Sequence, residues 1–164
     1  MTPNPSAPRP SGPRTPSRLS RRGLLVGGVA LATVGVAAAR WFNVGASIDD
    51  GSLGVAEAHR LALSGEILLV DIRRPDEWSL TGIGEGAQPL DMRARDFEAR
   101  LLALAEGDKA RPIALICARG VRSRGMARRL ASAGFTRVLD VPEGMLGSGA
   151  GPGWIKAGLP LARL

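Results

Sequence analysis

Two apolar runs, Ile67 to Ile72 and Pro112 to Ile116, constrain the fold of this chain more than any other feature of its sequence. Neither shows the polar-apolar alternation of a strand with one face in water. Near-continuous runs of this kind belong to strands buried on both faces, as in a parallel sheet. A further strand is expected at Arg137 to Val141. Around these runs lie segments with apolar residues at helical spacing. Val55 to Leu63 carries Val55, Ala58, Leu61 and Ala62 and closes at Ser64-Gly65, where glycine can take the left-handed cap. Arg95 to Leu104 carries Phe97, Leu101, Leu102 and Leu104, and Arg122 to Ala133 carries Met126, Ala127, Leu130 and Ala131 before Gly134. Helices between apolar strands give an α/β fold, a central parallel sheet flanked by helices on both faces.

The chain has 164 residues, 45% of them hydrophobic and 23% charged. That suits one packed domain with an appendage and excludes global disorder and a multidomain enzyme. A single cysteine excludes an intramolecular disulfide and a zinc site of several thiolates, and no cofactor or metal is expected. The net charge of +7 is unevenly placed: residues 1–48 hold six arginines and no acid, while the rest has sixteen basic residues against fifteen acidic ones. A nearly neutral domain without tyrosine lacks the basic face and stacking platforms of a nucleic-acid binder, so no nucleic-acid partner is expected.

Three regions follow. Residues 1–22, rich in Pro, Ser and Arg, read as a disordered basic segment. Residues 23–46 read as an export signal or membrane anchor, and residues 49–164 as the folded domain. The pattern Ser20-Arg21-Arg22-Gly23-Leu24-Leu25, the uncharged run to Ala39 and the small residues Ala37-Ala38-Ala39 resemble a twin-arginine export signal. The run is shorter than a spanning helix needs, but Trp41 and Phe42 could extend it at an interface. The implied location is periplasmic or at the inner membrane, with the export machinery or membrane as partner.

Ligands of parallel sheets gather where strands end and the next helices begin, and Cys117 stands at such a place. Cys117-Ala118-Arg119-Gly120-Val121-Arg122-Ser123 joins the strand ending at Ile116 to the third helix. Backbone N–H groups of such a loop can converge, Gly120 permits an unusual turn, and Arg119 and Arg122 bring positive charge. A thiolate is favoured by a helix amino end and by arginines, so Cys117 is expected to react without a histidine base. His59 is the sole histidine and reads as a surface or packing residue. The bland alternative is that Cys117 is a small buried hydrophobe at a strand end.

The motifs around the loop resemble the rhodanese family of single-domain sulfurtransferases, over roughly Gly54 to Leu164. They are Asp71-Ile72-Arg73-Arg74-Pro75-Asp76-Glu77-Trp78, the six-residue loop Cys117 to Arg122, Glu143-Gly144, Trp154 and Gly158-Leu159-Pro160. The chain departs from relatives in lacking a histidine at Thr81-Gly82-Ile83 and in a glycine-rich stretch, Gly147 to Gly153, that reads as a mobile insertion. The resemblance implies that Cys117 takes the outer sulfur of an anionic donor such as thiosulfate as a persulfide and passes it to a thiol or cyanide-like acceptor. Arg119, Gly120, Val121, Arg122 and Ser123 are the expected substrate-binding set. Arg73 reads as structural, pairing with an acid near the strand end, and Asp71 and Glu77 as loop-ordering groups. Trp78 and Trp154 read as packing residues.

Competing readings are weaker. A cysteine phosphatase or arsenate reductase places arginine after five intervening residues, where this chain has Ser123. Cysteine-protease chemistry needs a positioned histidine that His59 does not supply. The alternative outside catalysis is an idle rhodanese-like module at the membrane that binds a partner or senses sulfur.

Overall fold

A computed structural model of the chain describes residue 33 and residues 35–164. The expected disordered segment, residues 1–22, lies outside these, as do residues 23–32 and 34 of the expected export segment. The described part of that segment includes a helix, α1, through residues 36–42 and a turn at 43–45. Among the described residues no helix is long and apolar enough to cross a membrane.

The domain then runs α2 (Val55–Leu63), β1 (Leu68–Asp71), α3 (Pro75–Thr81), β2 (Ile83–Gly84), β3 (Gln88–Pro89), α4 (Phe97–Leu104), β4 (Ile113–Ile116), α5 (Val121–Ser132), β5 (Val138–Val141), α6 (Gly153–Lys156) and β6 (Leu161–Ala162). Four strands form the expected parallel sheet in the order β3-β1-β4-β5. Register places Asp71 beside Ile116 and Ile116 beside Val141, so three strands end level with one another. Everything after those ends is gathered along one edge of the sheet.

The apolar runs bury alternate residues on opposite faces. Val70, Ile72, Leu115 and Cys117 join one cluster with Phe97, Leu101, Met126 and Leu130 from α4 and α5. Leu69, Ala114 and Ile116 join the other with Val55 and Ala58 of α2, Met145 and Trp154. Each large apolar side chain so buried contributes about 1.5–3 kcal/mol. The three longer helices match their expected positions within two residues. Short elements went unread: α3, α6, and the two-residue strands β2, β3 and β6 carry too few residues to show a period. Pro75 opens α3 where its missing N–H costs nothing, and Glu77 three residues after Arg74 closes the helix start.

Candidate active site

The loop after β4 owes its shape to two glycines. Gly120 caps α5 with φ +79°, and a Cβ there would run into the Pro142 carbonyl. Gly144, with φ +66°, lets its turn lie against Ala118. The Met145 N–H donates to the Cys117 carbonyl and the Leu146 N–H to that of Ala118, each at 2.9 Å, stitching the loop to the segment after β5. The backbone N–H groups of residues 118–123 find no acceptor among the described residues. They are the unsatisfied donors expected at a helix start.

Cys117 lies 1% exposed at the floor of a cavity of about 480 Å³ lined also by Arg40, Trp41, Arg74, Glu77, Ala118, Arg119, Val121, Arg122 and Leu146. The Ser123 hydroxyl donates to the Cys117 sulfur at 3.4 Å. Both Arg122 Nη atoms donate to the Glu77 carboxylate at 2.7 Å. That bidentate bond, aided by the Arg74 N–H, holds the Glu77 carboxyl down at about 2 despite partial burial. The same bond raises Arg122 further above its usual value, and the nearby Cys117 sulfur adds to the effect. The guanidinium therefore stays cationic beside the sulfur at any working pH.

The structure sorts the expected residues. Cys117, Arg119, Val121 and Arg122 border the cavity, and Gly120 sets the turn beside it. The Ser123 side chain is completely buried, does not border the cavity, and meets the thiol through its hydroxyl. Arg119 reaches the cavity but is held by neighbours. It donates to the Gly147 carbonyl at 3.1 Å and lies 4.7 Å over the Phe42 ring. Arg73 is the structural arginine expected, 2% exposed and bonded to Asp71, Thr81 and the Gly82 carbonyl. Glu77 orders the loop as expected, through Arg122. His59 is the packing residue expected, in an edge-on ring contact with Trp154 and paired with Glu85 at 2.9 Å.

The Gly147 to Gly153 stretch, expected as a mobile insertion, makes hydrogen bonds within itself and to its neighbours. Ser148 and Gly151 bond each other, the Ser148 hydroxyl donates to the Pro142 carbonyl, and Gly149 and Gly153 donate to Asn43 and Glu143. The sequence did not disclose Arg40, Trp41, Arg74 and Leu146 as cavity residues. For Arg40 and Trp41 the only signal was a basic and an aromatic residue just before the domain, which the export reading absorbed.

A thiol at a parallel-strand end, beneath free backbone donors and beside a fixed guanidinium, is the arrangement of a cysteine protein whose site suits an anion. Residues 55–148 match the Rhodanese-like domain family. A protein of Allochromatium vinosum named sulfurtransferase is 32% identical over 114 residues, covering 70% of this chain and 92% of its own. The chain belongs to the rhodanese-like domain family. The fold is shared with the Alr3790 protein of Anabaena (TM-score 0.53, 21% identity, 68% of this chain and 92% of that one). It is shared also with the homodimeric polysulfide-sulfur transferase of Wolinella succinogenes (TM-score 0.53, 22% identity, 88% and 95%).

Proposed function

We propose that this protein is a sulfurtransferase that carries sulfane sulfur on Cys117. The observation that supports this most is the position of the thiol, on the floor of a cavity, under six consecutive free N–H groups and beside Arg122. The name of the Allochromatium relative points the same way. Charge develops outward from that floor. The Cys117 thiolate attacks the outer sulfur of a donor such as thiosulfate, forming a new S–S bond. The donor's own S–S bond breaks and sulfite leaves with its electron pair. The extra sulfur on Cys117 bears the negative charge, and the loop N–H groups that lack an internal acceptor stabilise it together with Arg122. A thiol or cyanide acceptor then takes the sulfur and Cys117 returns as thiolate.

Arg122 serves as the electrostatic partner of donor and persulfide, and Glu77 holds it in place. Arg119 assists only at the outer wall, since its guanidinium is directed to Gly147 and Phe42. Sulfur transfer from thiosulfate to cyanide tests the proposal. Cys117→Ser should abolish transfer with the fold intact, and Arg122→Gln should slow it about a hundredfold, as loss of an oxyanion donor does. Transfer that survives Cys117→Ser would refute the role of Cys117, and folded wild-type protein that moves no sulfur would favour an idle binding module.

A further inference from the structure

The cavity over Cys117 is larger than an inorganic sulfur anion requires. Its volume of about 480 Å³ falls in the range filled by organic ligands. Thiosulfate is only a compact tetrahedral ion. The added space is bounded by Arg40 and Trp41, which precede the family match at residues 55–148, and by Leu146 beyond the loop.

Charge and apolar surface indicate what that space takes. Four arginines and one carboxylate, Glu77, border it. Arg122 is committed to Glu77, Arg74 bonds Asp76 and Glu77, and Arg119 is held by Gly147 and Phe42. The Arg40 guanidinium has no hydrogen-bond or ion-pair partner among the described residues. Large apolar side chains surround the mouth, with Trp41 73% exposed, Val121 52% and Leu146 47%. This wall is tied to the site. Asn43 Nδ2 donates to the Arg119 carbonyl at 2.8 Å, and the Gly149 N–H donates to the Asn43 carbonyl at 3.0 Å.

We propose that Arg40 and Trp41 form a specificity subsite for the organic half of a small persulfide that bears a carboxylate. Arg40 takes the carboxylate, and Trp41 with Val121 and Leu146 covers the carbon skeleton while the outer sulfur meets Cys117. The inference rests on the sulfur-transfer reading. In the step it serves, Cys117 thiolate bonds to the outer sulfur of R–S–S⁻, the donor's S–S bond breaks, and R–S⁻ leaves with the electron pair. The negative charge that arrived on the donor's outer sulfur remains there as the Cys117 persulfide.

The test is the rate at which full-length protein takes sulfur from three donors. These are the persulfide of 3-mercaptopropionate, that of 3-mercaptopropanol, and thiosulfate. The two persulfides differ by one carboxylate. The wild-type chain should prefer the carboxylate by about tenfold in kcat/KM, the worth of one charged hydrogen bond. Arg40→Gln should erase that preference and Arg40→Lys should keep most of it. Trp41→Ala should weaken both persulfides about tenfold, through KM more than kcat. Equal rates from the two persulfides in the wild type, or a preference unchanged in Arg40→Gln, would overturn the subsite while loading itself persists. Failure of all three donors to load folded wild-type protein would overturn the sulfur-transfer reading and the subsite with it.

Discussion

The Asp71–Arg73 pair at the end of β1 and the Glu77–Arg122 pair beside the end of β4 join the same groups at the same closest distance, 2.7 Å. Their surroundings differ. Arg73 is 2% exposed, and every nitrogen of its guanidinium bonds to Asp71, Thr81 or Gly82. Arg122 is 31% exposed, has Glu77 as its one carboxylate partner, and borders the cavity over Cys117. The first guanidinium is consumed in holding β1 to α3. The second is fixed on one side by Glu77 and left with a face toward the sulfur. Position along one sheet edge thus separates an arginine that builds from an arginine that can bind.

The comparison breaks hardest at the buried pair. Arg73→Ala strands the Asp71 carboxylate with no exposure and should cost about 3–5 kcal/mol in urea unfolding. The double change Asp71→Leu with Arg73→Met should cost less than the single one, because no charge is left unpaired. Equal costs would mean that the pair is not the source of the loss.

The pair at the cavity should matter less to folding and more to pH. Glu77 has its carboxyl lowered from 4.5 to about 2, so the folded state holds its proton more weakly than the unfolded chain. Its contribution is present above about pH 4.5 and disappears as pH falls toward about 2. Glu77→Gln should therefore lower stability by roughly 1–2 kcal/mol at pH 7 once solvent screening is allowed for, and by little near pH 2. Unfolding curves at the two pH values check this. A loss of the same size at both would remove the ionic account.

Asp140 supplies the smallest effect and the opposite sign. Neither of its carboxylate oxygens has a hydrogen-bond partner among the described residues, Arg124 Nε stands 3.6 Å away, and burial pushes the carboxyl above its usual value of 3.8. The folded state then binds the proton more tightly, and stability falls as pH rises through that range. Asp140→Asn should stabilise the protein at pH 7 and leave it unchanged near pH 3, in unfolding curves at the two pH values. Destabilisation at pH 7 would show that Arg124 outweighs desolvation.

The sheet was legible because runs such as Ile113 to Ile116 are buried on both faces and carry no polar interruption. The nucleophile was legible because a cysteine directly after such a run, ahead of a glycine and two arginines in one loop, has a defined place in a parallel sheet. What pairs with what was less so. That Arg122 takes Glu77, 45 positions away, depends on the two-residue strands and short α3 that bring it round, and these have no period to read. Ser123 shows the limit within the loop itself, since nothing in the sequence says that its side chain is buried against the thiol and does not line the cavity. Arg40 and Trp41 were hidden by their own context: a basic residue and an aromatic after an uncharged run read equally well as the edge of an export signal.

The most direct test of the account is where the sulfur resides. Full-length protein treated briefly with thiosulfate, alkylated, digested and weighed peptide by peptide should show one added sulfur on the peptide containing Cys117. The mass should return to its original value after cyanide. An unmodified Cys117 peptide in folded protein exposed to thiosulfate and to organic persulfides alike would contradict it.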